Sequence, residues 1–570
     1  MTSAGAVSAP SRTLLVLGLL FLLALVPRLY SAQTLGWNWD APNSFTLINF
    51  DEGGSCRAAL RGFPYSTFIG HQTIALASTL GLPPPAGVES DSGAVKAYCH
   101  SPGHILVARS YSAILGALTV VAVTLLCLQL VPGQPRVAWT AGALLALSGF
   151  HISQSQTGTV DTPSVFFITS FLAAMAWYLR RRSMVKLLLC LLLVVAAVWT
   201  KYWVFAGFAW LALLPASYWR YVSSGFTNAR LMALLLTGAV CLAALTNVAF
   251  PRWGLLPLLA VYYLLVPWRA VHRPMAPAWL VLPLAVYAIV QIDLVNAYTQ
   301  GALDSRFGSG YGAIGANKWL RNLVNVPSVL LVGLGIPACL FILPGLRAML
   351  RDRHNRRYWV CLLPLLVFVV FMAFLAPVTY YRHYLPLLPV AAILAALGLH
   401  QTRWGAKPWC LALFFAWPAL LAWDLVSDYH RDPRIELRQW YADKPDARVW
   451  ASFYVSPPPG RASLFRPEYA AGDGSRLRRA DYLILSENWY DTAFANELNG
   501  PRVEQLDRLV KTTPDYARFY RRLLAGEHPH LRPERALNLQ HFMPELMLHR
   551  HFYGNFQLFV GDLRIYRVDY

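Results

Sequence analysis

Apolar runs long enough to cross the roughly 30 Å hydrocarbon core of a bilayer recur along most of this chain. They predict about thirteen membrane spans, near residues 12–30, 104–131, 137–152, 163–180, 185–201, 203–219, 229–249, 253–268, 277–297, 326–346, 358–376, 384–400 and 408–426. Pro27 and Arg28 close the first run, and no small-residue cleavage site marks it as a signal peptide. Three polar stretches are long enough to carry function. Residues 31–103 mix Gly, Pro and aromatics with short amphipathic pieces suited to helices lying on a membrane surface. Residues 298–325 are Gly-rich, and 427–570 have a soluble composition.

That tail predicts an α/β domain. RVWASFYV and ADYLILSENWY pattern as strands, VEQLDRLVKTTPDYARFYRRLLAG as a helix, and QLFVGDLRIYRVDY as a hairpin around Gly561-Asp562. The expected organisation is a transmembrane catalytic domain over 1–426 and a soluble domain over 427–570.

Composition agrees with the pattern. Of 570 residues, 56% are hydrophobic and 14% charged, against about a quarter charged in soluble proteins. The net charge of +20 is no nucleic-acid footprint, because much of the Arg and Lys sits in short loops between spans. Alternating the spans from a cytoplasmic N-terminus puts Arg136, Arg180-Arg181-Arg182, Arg347, Arg351, Arg357 and Arg403 on the inner side. This bias predicts a plasma (inner) membrane protein with the 427–570 domain extracytoplasmic. Asp51, Glu52, Asp161 and Arg382 then share the outer face.

On that face, Asp51 and Glu52 follow the first span in FTLINFDEGGSC. They are either solvated loop acids or acids placed for chemistry, since ionisable groups beside a bilayer usually have a function. A carboxylate there can take the proton of an acceptor hydroxyl, with its neighbour orienting it or helping to hold substrate or a divalent metal. Base and donor phosphate must flank one reacting carbon, so Asp51 is expected near the basic cluster without a direct salt bridge to it. Asp161, in TVDTPS, reads as a helix cap, a substrate contact, or both. Tyr380-Tyr381-Arg382-His383-Tyr384 reads as interface aromatics or as a phosphate pocket, since guanidinium grips phosphate in a fork.

Lys201, in WTKYW, either snorkels or joins that pocket. His100, His104 and Arg109 stand at the entry to the second span. An Arg that deep needs an acid or a lipid phosphate as partner. Cys56 and Cys99 lie together in the first outer loop, where an oxidising face lets them bond and stabilise it by roughly 4 kcal/mol. No CxxC or HExxH spacing marks a metal site. No nucleotide-binding glycine fingerprint is present, so an activated donor would arrive through the lipid.

Taken in order, the Asp-Glu pair, ARSYSAILGALT, DTP, TKYW and YRHYLPLLP resemble the polytopic glycosyltransferases of the GT-C fold. Within them the chain is most similar to the protein O-mannosyltransferase superfamily, which includes bacterial lipid A aminoarabinose transferases. The resemblance implies transfer of a sugar from a polyprenyl-phosphate carrier to an acceptor glycolipid, glycan or protein. Asp51 would be the base, and basic residues of the outer loops would hold the carrier phosphate. Where family members commonly carry Pro-Pro, this chain has Ser101-Pro102-Gly103-His104. Two rivals remain: a transporter or flippase of lipid-linked sugar, and a non-enzymatic envelope assembly protein.

Overall fold

A computed structural model describes residues 9–39, 45–49, 51–62, 65–181, 183–201, 318–352, 355–375, 381–458, 460–466, 469, 476–487, 489–490, 514–539 and 561–570. The expected spans 203–219, 229–249, 253–268 and 277–297, with most of the 298–325 loop, lie outside them.

Among the described residues of 9–200, nine α-helices form: α1 (Ala9–Thr34), α2 (Gly54–Arg61), α3 (Thr67–Thr79), α4 (Ser92–Cys99), α5 (Pro102–Leu130), α6 (Pro135–Ala146), α7 (Gly149–Ser155), α8 (Asp161–Arg180) and α9 (Met184–Thr200). A second helical stretch contributes α10 (Lys318–Leu334), α11 (Ile336–Cys339), α12 (Ile342–Arg351), α13 (Arg356–Val370), α14 (Leu387–Gln401) and α15 (Pro408–His430). Among the described residues, the helices beginning at Arg12, Pro102, Asp161 and Pro408 are long and apolar enough to cross a membrane. Shorter apolar helices lie beside them, including Met184–Thr200 and Leu387–Gln401.

Several expected spans differ in detail. The first does not close at Pro27-Arg28 but runs on to Thr34. The helix tolerates Pro27, and Arg28 is wholly buried, donating to the carbonyls of Ala24, Leu145 and Ala146 and to His151 Nδ1. The run 137–152 is two helices, because Ser148 breaks out and caps α7 through its hydroxyl. The run 326–346 breaks at Gly335, whose φ of 82° ends α10. The helix after Arg356 finishes in a π turn, Phe371–Leu375, and two carbonyls there, Met372 and Ala373, accept from the Asn322 amide.

One apolar core joins these helices, built from α5, α6, α8, α9 and α14 with residues of α1 and α10 to α13. Close approach sets part of it: a Cβ on Gly345 of α12 or Gly398 of α14 would overlap the other helix's backbone. Small residues bring membrane helices together in this way. Leu14, Leu15, Leu19, Leu22, Leu23 and Val26 of α1 stay exposed, as a lipid-facing stripe requires. Arg180 and Arg357 both donate to Gln129, so the basic ends of α8 and α13 gather at the C-terminal end of α5.

Beyond α15, helix α16 (Arg434–Asp443) leads into a five-stranded sheet. The strands are β1 (Val449–Ala451), β2 (Ala462–Leu464), β3 (Tyr482–Ser486), β4 (Leu531–Leu537) and β5 (Leu563–Val568), in the order β2-β1-β3-β5-β4. β1 runs parallel to β2 and β3, and β5 antiparallel to β3 and β4. Both faces are covered, so Leu483 and Leu485 face one apolar cluster and Ile484 another. Helix α17 (Pro514–Leu524) covers the first face through Tyr520 and Leu523.

Of the expected hairpin around Gly561-Asp562, the second arm is β5, and the first arm, residues 557–560, lies outside the described residues. β3 and β4 already occupy both edges of β5 along its length. The partner β4 escaped the sequence reading because LRPERAL is polar. It is an edge strand, where Pro533 is tolerated. The segment after α1 also joins this domain: Trp39 packs into the cluster of Leu437, Trp440, Tyr441 and Val449.

Candidate active site

The C-terminal ends of α1 and α9 meet the N-terminal ends of α5 and α8 and the turn before α14 at one face of the bundle, and the charged residues gather there. The turn Asn49–Gly54 carries the first two acids. Glu52 N donates to Asn49 O, Gly54 N to Asp51 O, and Gly53 holds φ at 76°, a value that suits glycine. A Cβ on Gly53 would strike the His100 ring and the Cys99 carbonyl. Behind the turn, Cys56 and Cys99 form a disulfide with Cα atoms 5.7 Å apart. The expected pairing is therefore present, tying α2 to the end of α4.

The two adjacent acids go separate ways. Glu52 is fully buried and pairs in a fork with Arg109, Nε to Oε1 at 2.7 Å and Nη2 to Oε2 at 2.8 Å. It also accepts from the backbone of Ile48 at 2.9 Å, Asn49 at 3.4 Å and Gly158 at 3.0 Å. Arg109 spends its remaining donors on the carbonyls of Leu35 and Thr46. Arg109 thus takes an acid as its partner, and a phosphate would have to displace the Glu52 carboxylate and the Leu35 and Thr46 carbonyls to reach it. Arg434 grips the same loop from the other side, donating to Leu47 O while paired with Asp432. No sequence motif flagged Arg434, although its proximity to Asp432 was a signal.

Asp51 is the accessible acid, its side chain 33% exposed, and Arg382 Nη2 meets its Oδ2 at 2.7 Å. The expected separation between Asp51 and the basic cluster is thereby overturned. A guanidinium only 11% exposed needs counter-charge, and Arg382 finds it on both sides. Its Nε lies 3.7 Å from Asp161 Oδ2, and Asp161 Oδ1 pairs with Lys201 Nζ. Asp161 heads α8 without capping it, so its carboxylate serves this network instead, with Thr159 Oγ1 donating at 3.3 Å. Lys201 does not snorkel: it is buried against Asp161 at the end of α9.

Arg382 sits in the 3-10 turn Tyr381–Tyr384, with Tyr381 and His383 buried on either side. Tyr384 anchors that turn by donating to Asn322 O and accepting from Asn325. His100 lies against Gly53, beneath the Asp51–Glu52 turn, and His104 packs on Tyr98. Burial, with Lys96 and Arg57 close by and Glu52 opposing, pulls the His100 imidazole down to about 4, so it is neutral at pH 7.

A divalent metal between Asp51 and Glu52 does not fit this donor set. Glu52 has both oxygens committed to Arg109 and three backbone amides, and Asp51 faces a guanidinium. Among the described residues no cluster of three His, Cys, Asp or Glu side chains is placed to hold an ion.

Residues 60–256 match the family model described as dolichyl-phosphate-mannose-protein mannosyltransferase. Over that stretch the chain is similar to the protein mannosyltransferases. The resemblance read from DTP and TKYW lies inside it. Among solved structures, the chain is similar to the archaeal oligosaccharyltransferase AglB from Archaeoglobus fulgidus, in complex with an inhibitory peptide and a dolichol-phosphate. Identity is 14%, 85% of this chain and 71% of that chain are covered, and the TM-score is 0.47. It is also similar to ArnT from Cupriavidus metallidurans bound to undecaprenyl phosphate, at 14% identity, 85% and 94% coverage and a TM-score of 0.41. No curated protein sequence matches the chain.

Proposed function

We propose that this chain is an integral-membrane glycosyltransferase that moves a sugar from a polyprenyl-phosphate carrier to an acceptor hydroxyl on the outer face. The observation that carries the reading is the network Asp51–Arg382–Asp161–Lys201 at one end of the spans. Its two acids and two bases compensate each other, and only its Asp51–Arg382 rim is exposed. Arg382 presents the fork geometry that suits a phosphate, while Asp161, held by Lys201, fixes the guanidinium from behind.

When a carrier phosphate reaches Arg382 it competes with Asp51 for the same donors. Asp51 is then released toward an incoming hydroxyl. The acceptor oxygen attacks the anomeric carbon, its proton passes to Asp51, and the carbon–phosphate-oxygen bond breaks with its electron pair leaving on the polyprenyl phosphate. A single displacement of this kind inverts the anomeric centre. Glu52 and Arg109 take no part in the reaction on this account. They hold the loop that presents Asp51.

The disulfide on the same face, and the basic ends of α8 and α13 on the opposite one, support an extracytoplasmic orientation for the site and the sheet domain. The test is turnover by the full chain in nanodiscs, given polyprenyl-phosphate mannose labelled in the sugar and an envelope lipid extract as acceptor. Label appearing in a new glycoconjugate is expected. Label moved across liposome membranes without a new bond would show a flippase instead.

A further inference from the structure

The strand order β2-β1-β3 reverses direction at β1: the chain leaves β1 for β2 on one side and returns to β3 on the other. Both neighbours run parallel to β1. The loops that leave the carboxyl ends of β1 and β3 therefore diverge and open a crevice between them, the place where open α/β sheets bind ligands. Phe453 and Tyr454 come to it from the loop after β1, and Trp489 from the segment after β3. Their rings form one group. Phe453 and Trp489 have centroids 5.3 Å apart, Tyr454 and Trp489 5.9 Å, and Phe453 and Tyr454 5.1 Å. All three are half-buried, so each keeps part of its surface open.

The backbone beneath them is strained. Tyr454 holds φ at 69° and Ser456 at 48°, the positive φ values of non-glycine residues among those described. A bulky side chain is rarely found there, and such strain gathers at ligand sites. Ser452 Oγ accepts from Ser486 N at 2.9 Å, tying the roots of the two loops together. Glu487 is pinned close to Trp489, donating its amide to Asp562 O at 2.9 Å and accepting from Asp562 N at 3.0 Å. The same end of the sheet leans on the membrane domain. Ser486 lies opposite Leu563, and Leu563 opposite Leu537 at the end of β4. Two residues further, Leu539 donates to Asp562 Oδ1 and packs with Leu35, Ile48 and Tyr429. Leu35 O receives Arg109, and Ile48 N bonds Glu52. The crevice thus opens at the end of the sheet that rests beside the Asp51–Glu52 turn.

We propose that this crevice holds a sugar ring of the acceptor, so that the acceptor is a glycan or glycolipid and not a bare polypeptide. The proposal rests on the glycosyltransferase reading. A pyranose presents an apolar face of C–H bonds and a rim of hydroxyls. Flat aromatic rings match the face through dispersion and burial, and the Glu487 carboxylate accepts hydrogen bonds, as the rim requires. Position supplies the link to the reaction. A ring held here leaves the rest of the acceptor chain to reach Asp51.

The experiment titrates the full chain in nanodiscs with fluorescent oligosaccharides of mannose, glucose, galactose and N-acetylglucosamine, and with a fluorescent Ser/Thr-rich peptide, read by anisotropy. Wild-type protein is expected to bind at least one oligosaccharide in preference to the peptide. Trp489→Ala should weaken that binding about tenfold, and Trp489→Phe, which keeps a ring, should retain most of it. Tyr454→Gly removes a ring from a φ that glycine adopts freely, so it should weaken sugar binding while Tm holds, which separates binding from folding. Polyprenyl-phosphate affinity should stay at the wild-type level in every variant. A panel that wild-type protein ignores, a preference for the peptide, or sugar affinity that survives both Trp489→Ala and Tyr454→Gly overturns the proposal. Oligosaccharide binding without turnover of labelled polyprenyl-phosphate mannose would keep the sugar site and sink the glycosyltransferase reading beneath it.

Discussion

Glu52→Gln separates a loop staple from a catalytic acid. The carboxylate accepts two bonds from Arg109 and one each from the amides of Ile48, Asn49 and Gly158, all in a fully buried corner. The amide keeps the size and one accepting oxygen, but turns a donor toward donors and leaves the Arg109 guanidinium without counter-charge. Breaking a buried pair in this way costs about 3–5 kcal/mol. Adding Arg109→Met removes the stranded charge and should recover part of the loss. Recovery stays incomplete because the one accepting oxygen of the substituted amide cannot replace both carboxylate oxygens, one serving the Ile48 and Asn49 amides and the other Gly158. An amide left without an acceptor costs about 1–3 kcal/mol. The assay is thermal unfolding of both single variants and the double variant in the same nanodiscs, with turnover measured below the lowest transition. The expected pattern is a Tm lowered by several degrees in each single variant and a double variant less destabilised than the sum. A Gln variant with wild-type Tm and no turnover would refute the staple and give Glu52 the chemistry.

Three further outcomes follow from the same corner. Cys56→Ser with Cys99→Ser opens a loop of 43 residues separation and should cost up to about 4 kcal/mol, read as a lower Tm under oxidising conditions that reductant abolishes. His100 is held down to about 4 from an ordinary 6.5, so the unfolded chain binds the extra proton first and stability is lost as pH falls from 6.5 toward 4. His100→Gln should flatten that part of the Tm–pH curve, and a curve of unchanged slope would show that the imidazole does not titrate there. Arg382→Ala should weaken carrier-lipid binding about a hundredfold and Arg382→Lys less so, because Lys lacks the fork. Unchanged affinity in the Ala variant removes Arg382 from the phosphate site.

The sequence made the acids and bases at the span ends legible because ionisable residues are rare in so apolar a chain. Asp51, Asp161, Lys201 and Arg382 stood out against their surroundings, and all four meet. What it left open was pairing. Adjacent residues such as Asp51 and Glu52 look alike in one dimension, and only the αL turn at Gly53 sends one outward and the other to Arg109. Helix breaks were hidden for a related reason. Apolar pattern continues straight through Ser148 and Gly335, where a cap and a positive φ interrupt the backbone. In the tail, β3 was evident from its apolar run, whereas β4 follows no alternation, being exposed from Arg532 to Ala536 in large part.

The central claim is that Asp51 accepts the proton of the attacking hydroxyl. Asp51→Asn keeps the size of the side chain and a hydrogen bond to Arg382 but has no basic oxygen for that proton. Turnover of labelled polyprenyl-phosphate mannose by the Asn variant should fall by about two to four orders of magnitude, the worth of general-base catalysis. Tm should stay close to wild type, because the side chain is a third exposed. Carrier-lipid affinity should hold or rise as a competing anion leaves Arg382. Near-normal turnover by Asp51→Asn, with donor still bound, would contradict the account.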